Sequence, residues 1–290
     1  MSTLLTRILV PLDRSTNAEA ILSQLRRIVP RHDSRLILFH AAPYAPWASD
    51  EDAEKYLRRV SFQLTNEGYP ATHLIRMGSP AEAILETAAA ESATLIALTT
   101  HGRTGAARLV MGSVAERILQ ASPLPVLVCR SIPTNRCRAK LESEPVRNFL
   151  VPLDGSRPSL GSLEAVLQLA RPVDAHVTLL HVTEPSPYDG RWESPDECLK
   201  EADQTLRDAC IPAAIEHRKG DPSEEILKAA EEKEADLIAM TTHGRSGPSR
   251  WVFGSVAANV LRAASTPLLV VRNCIPAASA VAGTLKRSAP

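Results

Sequence analysis

Short apolar runs alternate with amphipathic segments along the first half of the chain. Ile8–Leu12 is too short for a helix, whereas Ala18–Val29 places its apolar residues on one helical face. The alternation continues and predicts strands at Leu36–His40, Thr72–Arg76, Thr94–Thr99 and Val126–Cys129, with helices at Asp50–Asn66 and about Ser113–Ala121. Near-continuous apolar strands that alternate with helices are typical of a parallel sheet covered on both faces. The pattern therefore predicts a doubly wound α/β fold.

The sequence after the third strand predicts a capped helix start. Ser79-Pro80 supplies an N-cap and a proline at the first helical position, and Glu82 is placed to reach back to the cap. The second half carries the equivalent Asp221-Pro222-Ser223-Glu224. We therefore expect a capping box in each half.

The second half of the chain repeats the first. ILVPLDRS at 8–15 returns as FLVPLDGS at 149–156, and Gly78–Arg130 aligns with Gly220–Arg272 without a gap, with 28 identities in 53 positions. Shared secondary-structure composition does not produce identity at that level. The repeat predicts two homologous domains, at 1–133 and 146–275, joined by a linker at 134–145 and followed by a frayed tail at 276–290.

Composition and charge narrow the classes of partner. The chain has 33 basic and 33 acidic residues and 4% aromatic residues, which argues against nucleic acid or an anionic membrane as the main partner. Five cysteines without a C-x-x-C pair suit neither a disulfide framework nor a zinc cluster. No apolar stretch approaches the roughly 20 residues of a membrane span, and Met1–Thr6 leads into the first strand without a signal-peptide block. We expect a soluble, cytoplasmic protein.

Glycine is scarce and concentrated in one repeated segment. Eight of the 13 glycines form matched pairs, and six of these lie in THGRTGAARLVMGSV at 100–114 and THGRSGPSRWVFGSV at 242–256. Glycine lets a ligand approach the backbone, and a Gly-Ser helix start offers N–H groups to an anion. A phosphate-binding loop is one interpretation. The other is that a long loop needs glycines for its turns and that Ser113 and Ser255 are plain N-caps.

These loops are not P-loops, because neither contains a lysine and the spacing G-x-x-x-x-G-K-[ST] is missing. Any phosphate would be held by backbone amides, hydroxyls and the guanidinium groups of Arg103 and Arg245. His101 and His243 in the loops are either phosphate contacts or general bases, or histidines that fix backbone carbonyls.

Two further matched pairs lie at strand ends. His40 and His181 end apolar strands, and we expect them to be satisfied residues at the edge of the core. Asp13 and Asp154 end the first strand of each half, where they are either ligand contacts or helix N-caps. The spacing places no second carboxylate, nucleophile–base pair or metal-ligand cluster, so the sequence offers no evident catalytic machinery.

Together these motifs resemble the universal stress protein family in its tandem two-domain form. The resemblance covers about 4–131 and 146–273, and it is carried by VPLD near each N-terminus, by His40-Ala41 and His181-Val182, and by Gly102-(nine residues)-Gly112-Ser113 and Gly244-(nine residues)-Gly254-Ser255. It implies an adenine nucleotide alpha hydrolase-like fold, with two tandem five-stranded sheets in strand order 3-2-1-4-5. It also implies antiparallel pairing of the fifth strands, Val126–Cys129 and Leu268–Val271, and it is compatible with a homodimer of chains.

The same resemblance implies ATP, or another adenine nucleotide, with Mg²⁺ between strands 1 and 4. Asp13 and Asp154 would lie near the ribose and the phosphate-bound metal, and Ala41 and Val182 would meet adenine through backbone groups. The phosphates would be held by Gly102, Gly112, Ser113, Val114, Gly244, Gly254, Ser255 and Val256. The family's motif has one more glycine, where this chain has Thr99 and Thr241. A β-branched residue there crowds the ribose side of the cleft and cannot easily take a glycine-only conformation, although its hydroxyl can donate a hydrogen bond.

The leading functional hypothesis is a stress-response protein that binds ATP–Mg²⁺ as a structural or signalling ligand in one or both domains. One alternative is a slow ATPase or nucleotidyl-transfer enzyme that uses Asp13 or Asp154 for the metal. The other is a protein-interaction module that binds no nucleotide.

Overall fold

The fold is described from a computed structural model, which covers 5–42, 51–100, 111–130, 145–184, 195–242 and 254–272. The first half contains strands β1 (Arg7–Pro11), β2 (Arg35–Ala42), β3 (Ala71–Met77), β4 (Leu95–Thr99) and β5 (Val126–Cys129), and helices α1 (Thr16–Ile28), α2 (Glu51–Asn66), α3 (Pro80–Ala90) and α4 (Ser113–Ala121). The strands and helices predicted from periodicity are present, with small differences at their ends. The predicted tail and nearly all of the predicted linker lie outside the described residues.

The second half repeats this order of elements. Its strands are β6 (Asn148–Pro152), β7 (His176–Thr183), β8 (Ala213–Lys219), β9 (Leu237–Thr241) and β10 (Leu268–Val271), and its helices are α5 (Leu163–Ala170), α6 (Pro195–Asp208), α7 (Pro222–Glu232) and α8 (Ser255–Ala263). A 3-10 helix at Arg157–Ser162 precedes α5. Within the described ranges, no helix is long and apolar enough to cross a membrane.

The ten strands in the described ranges form one continuous sheet, in the order β3-β2-β1-β4-β5-β10-β9-β6-β7-β8. Neighbouring strands are parallel except β5 and β10, which pair antiparallel with Leu127 opposite Leu269. The strand order 3-2-1-4-5 in each half and the pairing of the fifth strands are thus confirmed. Because Leu127 and Leu269 are matched positions of the repeat, an approximate two-fold axis passes between them.

Side chains of the strands alternate between two cores, one on each face of the sheet. Ile8 and Val10 of β1 contribute to the core beneath α1, α2, α5 and α6. Leu9 between them contributes to the core beneath α3, α4, α7 and α8. Both cores contain residues from the two halves, so apolar burial is continuous across the junction of β5 and β10. Burial on both faces explains why the inner strands are near-continuous apolar runs, whereas the edge strands β3 and β8 are more polar and partly exposed.

The predicted capping box forms only in part. Asp221 is the N-cap of α7 and accepts a hydrogen bond from the Glu224 N–H at 3.0 Å. Ser79 occupies the same position before α3 but makes no side-chain cap bond. Glu82 does not reach back to it and instead accepts a hydrogen bond from Arg117 of α4 at 2.8 Å. The side-chain cap is therefore confirmed for the second half and wrong for the first, where Glu82 binds Arg117 of α4, and the side chain of Glu224 contacts Lys228 rather than its own helix start.

A buried ion pair joins the two halves beside the strand junction. Arg27, in the last turn of α1, donates from Nη2 to Oδ1 of Asp236 at 2.7 Å, and the two side chains are 8% and 7% exposed. The other oxygen of Asp236 accepts the backbone N–H groups of Arg147 and Asn148 at 3.0 and 3.1 Å. Burial alone would raise the pKa of Asp236, but these two N–H groups and the guanidinium together lower it.

The lowered pKa predicts how stability depends on pH. Because the folded-state pKa of Asp236 lies below the ordinary value of about 3.9, its contribution is complete above that value and is lost as pH falls through the folded-state pKa. Asp236→Asn should lower the free energy of unfolding by about 3 kcal/mol at pH 7, since Arg27 then has no buried counter-charge from residue 236. The difference in the free energy of unfolding between the wild type and Asp236→Asn should become smaller in acid, and urea denaturation at several pH values measures it.

The control is Asp33→Asn, which removes an exposed carboxylate and should change the free energy of unfolding by less than about 0.5 kcal/mol at each pH. A difference between the wild type and Asp236→Asn that stays constant down to about pH 2.5 would contradict the role assigned to the ionised carboxylate.

Candidate functional site

Two matched cavities lie at the carboxyl ends of the central strands, one in each half. The first, of about 340 Å³, opens where β1 and β4 end, and the second, of about 280 Å³, opens where β6 and β9 end. In each half the strand order changes direction between these two strands. Ligands of open α/β sheets bind in such crevices. Position and size thus make the cavities candidate sites for small molecules.

Most of the predicted site residues meet in these cavities. The first is lined by Asp13, Ala41, Thr99, Gly112, Ser113 and Val114. The second is lined by Asp154, Val182, Thr241, Gly254, Ser255 and Val256. The predicted Gly102 and Gly244 lie outside the described residues, and so do His101, His243, Arg103 and Arg245.

Each cavity also has lining residues that sequence reasoning missed. Pro80 and Ile84 of α3 line the first cavity, and their matched residues Pro222 and Ile226 of α7 line the second. Ser159 and Glu184 add polar groups to the second cavity. Ser159 aligns with Ala18 in the repeat, so a comparison of the two halves position by position would have found this difference.

The two strand-end aspartates are held in the same local structure. Oδ1 of Asp13 accepts hydrogen bonds from the N–H of Ser15 at 3.0 Å and from its hydroxyl at 2.5 Å. Oδ1 of Asp154 accepts the same two bonds from Ser156, at 2.9 and 2.6 Å. The residue between is left-handed in both halves, with φ of 70° at Arg14 and 83° at Gly155. Two donors therefore fix each carboxylate at the mouth of a cavity.

The alternative that these aspartates are helix N-caps is wrong. Ser15 is the N-cap of α1, and its hydroxyl oxygen accepts from the Ala18 N–H at 3.1 Å. In the second half Ser156 occupies the N-cap position of the 3-10 helix. Each aspartate lies two residues earlier and orients the serine that follows.

The helices at the cavities begin without a side-chain cap. α4 starts at Ser113 and α8 at Ser255, with Gly112 and Gly254 as N-cap residues, so the interpretation of the serines as plain N-caps is wrong. The N–H groups of these glycines donate to the carbonyls of Thr100 at 2.8 Å and Thr242 at 3.0 Å, which ties each helix start to the preceding strand. A helix start carries partial positive charge and N–H groups without intrahelical partners. Each cavity therefore contains a group that favours an anion.

Gly254 is required by a close backbone approach rather than by an unusual φ. A Cβ on this residue would lie 2.7 Å from the carbonyl oxygen of Thr242. Backbone cannot move away as cheaply as the end of a flexible side chain. The glycine thus allows the start of α8 to lie directly against the end of β9.

The strand-end histidines are satisfied, as the sequence predicts. Nδ1 of His40 donates to the Leu12 carbonyl at 2.7 Å, and Nδ1 of His181 donates to the Leu153 carbonyl at 2.8 Å. Both residues are buried. Each ring holds the end of one strand against the residue that precedes a cavity aspartate.

Thr99 and Thr241 do not need a glycine conformation. Both are the last residues of buried strands, in register with Cys129 and Val271, and neither has a positive φ. Extended backbone suits a β-branched side chain. The backbone argument against threonine at this position is therefore wrong. The volume of the side chain is the remaining difference from glycine in the cavity.

In the part of the chain described, no group of three or more His, Cys, Asp or Glu side chains is placed to hold a metal ion.

Comparison with known proteins gives one consistent result. A model of the universal stress protein family matches 5–130 and 145–272. A universal stress protein of Mycolicibacterium smegmatis is 25% identical over 295 residues, covering 91% of this chain and 96% of its own length. One from Methanocaldococcus jannaschii is 34% identical over 139 residues, covering 43% of this chain and 82% of its own length.

Structural comparison agrees in fold. The crystal structure of a universal stress protein from Archaeoglobus fulgidus DSM 4304 superposes with a TM-score of 0.72 at 20% identity, covering 94% of this chain and 99% of the other. At that identity the likeness concerns the fold, including the tandem arrangement of two halves.

The contact at Gly254 predicts the cost of a single methyl group. Gly254→Ala should lower the free energy of unfolding by about 2 kcal/mol, because the start of α8 must shift away from the Thr242 carbonyl. Urea denaturation measures this loss. Ser255→Ala is the matched control: Ser255 is exposed and does not cap the helix, so its replacement should cost less than about 0.5 kcal/mol. Equal effects of the two substitutions would contradict the close approach.

Proposed function

The chain belongs to the universal stress protein family, and from this premise we propose that it is a stress-response protein that binds ATP with Mg²⁺ in its two matched cavities. The observation that carries the proposal is the pairing, in each cavity, of an uncapped helix start with a strand-end carboxylate. One group favours anionic oxygens and the other favours a cation. ATP–Mg²⁺ presents both.

The helix starts suit the phosphates of the nucleotide. N–H groups in the first turns of α4 and α8 and the hydroxyls of Ser113 and Ser255 are donors at the cavity wall. The glycine before each serine leaves the approach open, because it carries no side chain. Gly102 and Gly244 belong to the same proposed phosphate site by their position in the repeated motif.

The strand-end aspartates suit the ribose and the metal. Carboxylate oxygens are preferred ligands of Mg²⁺, which is commonly held by one or two carboxylates together with substrate phosphates. Since Asp13 and Asp154 are each anchored by a serine, their carboxylates are oriented before any ligand arrives. The metal would supply charge neutralisation at the phosphates.

The remaining wall suits an adenine ring. Ala41 and Val182, next to last in β2 and β7, line the two cavities, and apolar side chains such as Phe39 and Ile84 line the first cavity with Ala41. Thr99 and Thr241 also line the cavities, and in the proposed complex their hydroxyls would lie on the ribose side. Val182 is larger than Ala41, in keeping with the smaller volume of the second cavity.

The proposed role of the nucleotide is that of a structural or signalling ligand. A ligand that binds only the folded protein stabilises it by about 2.7 kcal/mol at a hundredfold excess over its Kd. A cytoplasmic location and a homodimer of chains belong to the same proposal and rest on the sequence alone.

Calorimetric titration with Mg-ATP tests the proposal. The wild type should bind two nucleotides per chain, and Gly254→Ala should bind one, because a shifted α8 displaces the donors of the second cavity. Absorbance of the denatured protein at 260 nm will report any nucleotide that copurifies and would mask a site.

Gly68→Ala is the control for general destabilisation. Gly68 has a φ of +92° in the turn between α2 and β3, away from both cavities, so alanine there is strained but should leave two binding events. Absence of heat at millimolar Mg-ATP, in protein free of copurified nucleotide, would refute the proposed ligand for both halves.

A further inference from the structure

The ion pair between Arg27 and Asp236 has no counterpart of the same chemistry across the two-fold axis. In the repeat Arg27 aligns with Gln168, and Asp236 aligns with Thr94. The antiparallel pairing of Leu127 with Leu269 relates the two sides of the junction, so residues 168 and 94 occupy the symmetry-related place. Two charged residues thus lie on one side of the axis, and two neutral residues occupy the matched positions on the other.

Thr94 and Asp236 perform the same local task. The Thr94 hydroxyl oxygen accepts the N–H of Arg7 at 3.1 Å, as an oxygen of Asp236 accepts the N–H of Asn148 at 3.1 Å. In each half this bond joins the start of the fourth strand to the start of the first. A neutral hydroxyl therefore suffices for the strand contact, and the negative charge of Asp236 is an additional feature directed at the other half.

The strands at the junction do not themselves distinguish the two halves. β5 reads VLVC and β10 reads LLVV, and both are apolar and buried except for Val271 at the end of β10. Two copies of β5, or two copies of β10, would present nearly the same surface to each other as β5 and β10 do. A duplicated chain therefore has alternatives: its halves can pair within the chain, or like halves can pair between chains.

We propose that the buried Arg27–Asp236 pair determines which partner each half selects at the junction of β5 and β10. The pair makes the first half pair with the second half rather than with another first half. Pairing of two first halves would place each Arg27 opposite a Thr94. Pairing of two second halves would place each Asp236 opposite a Gln168. Both arrangements bury a charge without its counter-ion, which costs far more than leaving the same charges in water. Only pairing of unlike halves brings the two charges together.

The inference predicts that moving the arginine changes the preferred partner. The variant Arg27→Gln/Gln168→Arg has the same composition as the wild type but carries both charges on the second half. Pairing within the chain then forms no ion pair, whereas pairing of two second halves forms two. Each pair should favour association about 100-fold. Two pairs therefore outweigh the advantage of pairing within one chain, where the effective concentration is on the order of millimolar.

The test is light scattering and native mass spectrometry of refolded full-length protein, from about 1 to 100 µM. The double variant should form assemblies of at least twice the wild-type mass, and its unfolding midpoint should rise with protein concentration. Arg27→Gln alone should keep the wild-type mass and unfold at a lower urea concentration. Gln168→Arg alone keeps the original pair and should match the wild type in mass.

Three results would overturn the inference. The first is a double variant with the wild-type mass at every concentration. The second is a double variant that unfolds at the same midpoint as Arg27→Gln throughout the concentration series, because Gln168→Arg would then have created no ion pair between second halves. The third is an Arg27→Gln variant as stable as the wild type.

Discussion

The antiparallel contact between β5 and β10 is the constraint on which the rest of the molecule depends. In strand order 3-2-1-4-5, the fifth strand lies at the edge of its half, and in this chain it is short, apolar and buried. An apolar edge strand left open is a template for aggregation. Pairing the two fifth strands removes both edges at once and makes the two apolar cores continuous.

The same strand order also positions the candidate site. Reversal of the winding between the first and fourth strands opens a crevice at their carboxyl ends, and the first and fourth helices of the half lie on opposite faces of the sheet. The crevice therefore receives the residue that ends the first strand and the start of the helix that follows the fourth. Asp13 with Gly112, and Asp154 with Gly254, meet for this reason although about 100 residues separate them in sequence.

Much of this arrangement could be predicted from the sequence, because the signals were local or repeated. Apolar periodicity predicted the strands and helices, and the repeat predicted two like halves whose site residues recur. Details governed by tertiary contact could not be predicted in this way. Glu82 binds Arg117 rather than its own helix start, and Thr99 lies in extended backbone where the motif suggested a special conformation. Arg27 and Asp236 are 209 residues apart, and neither lies in a recognisable motif.

The antiparallel junction also fixes the directions in which the two cavities open. Strands of the first half run opposite to those of the second across the junction, so their carboxyl ends lie at opposite edges of the sheet. Ligands in the two cavities would not touch each other. The sheet between them consists of β4, β5, β10 and β9, and a partner that contacts both ligands would have to span the sheet from one edge to the other. The duplication thus gives one chain two cavities that open at opposite edges of the same sheet.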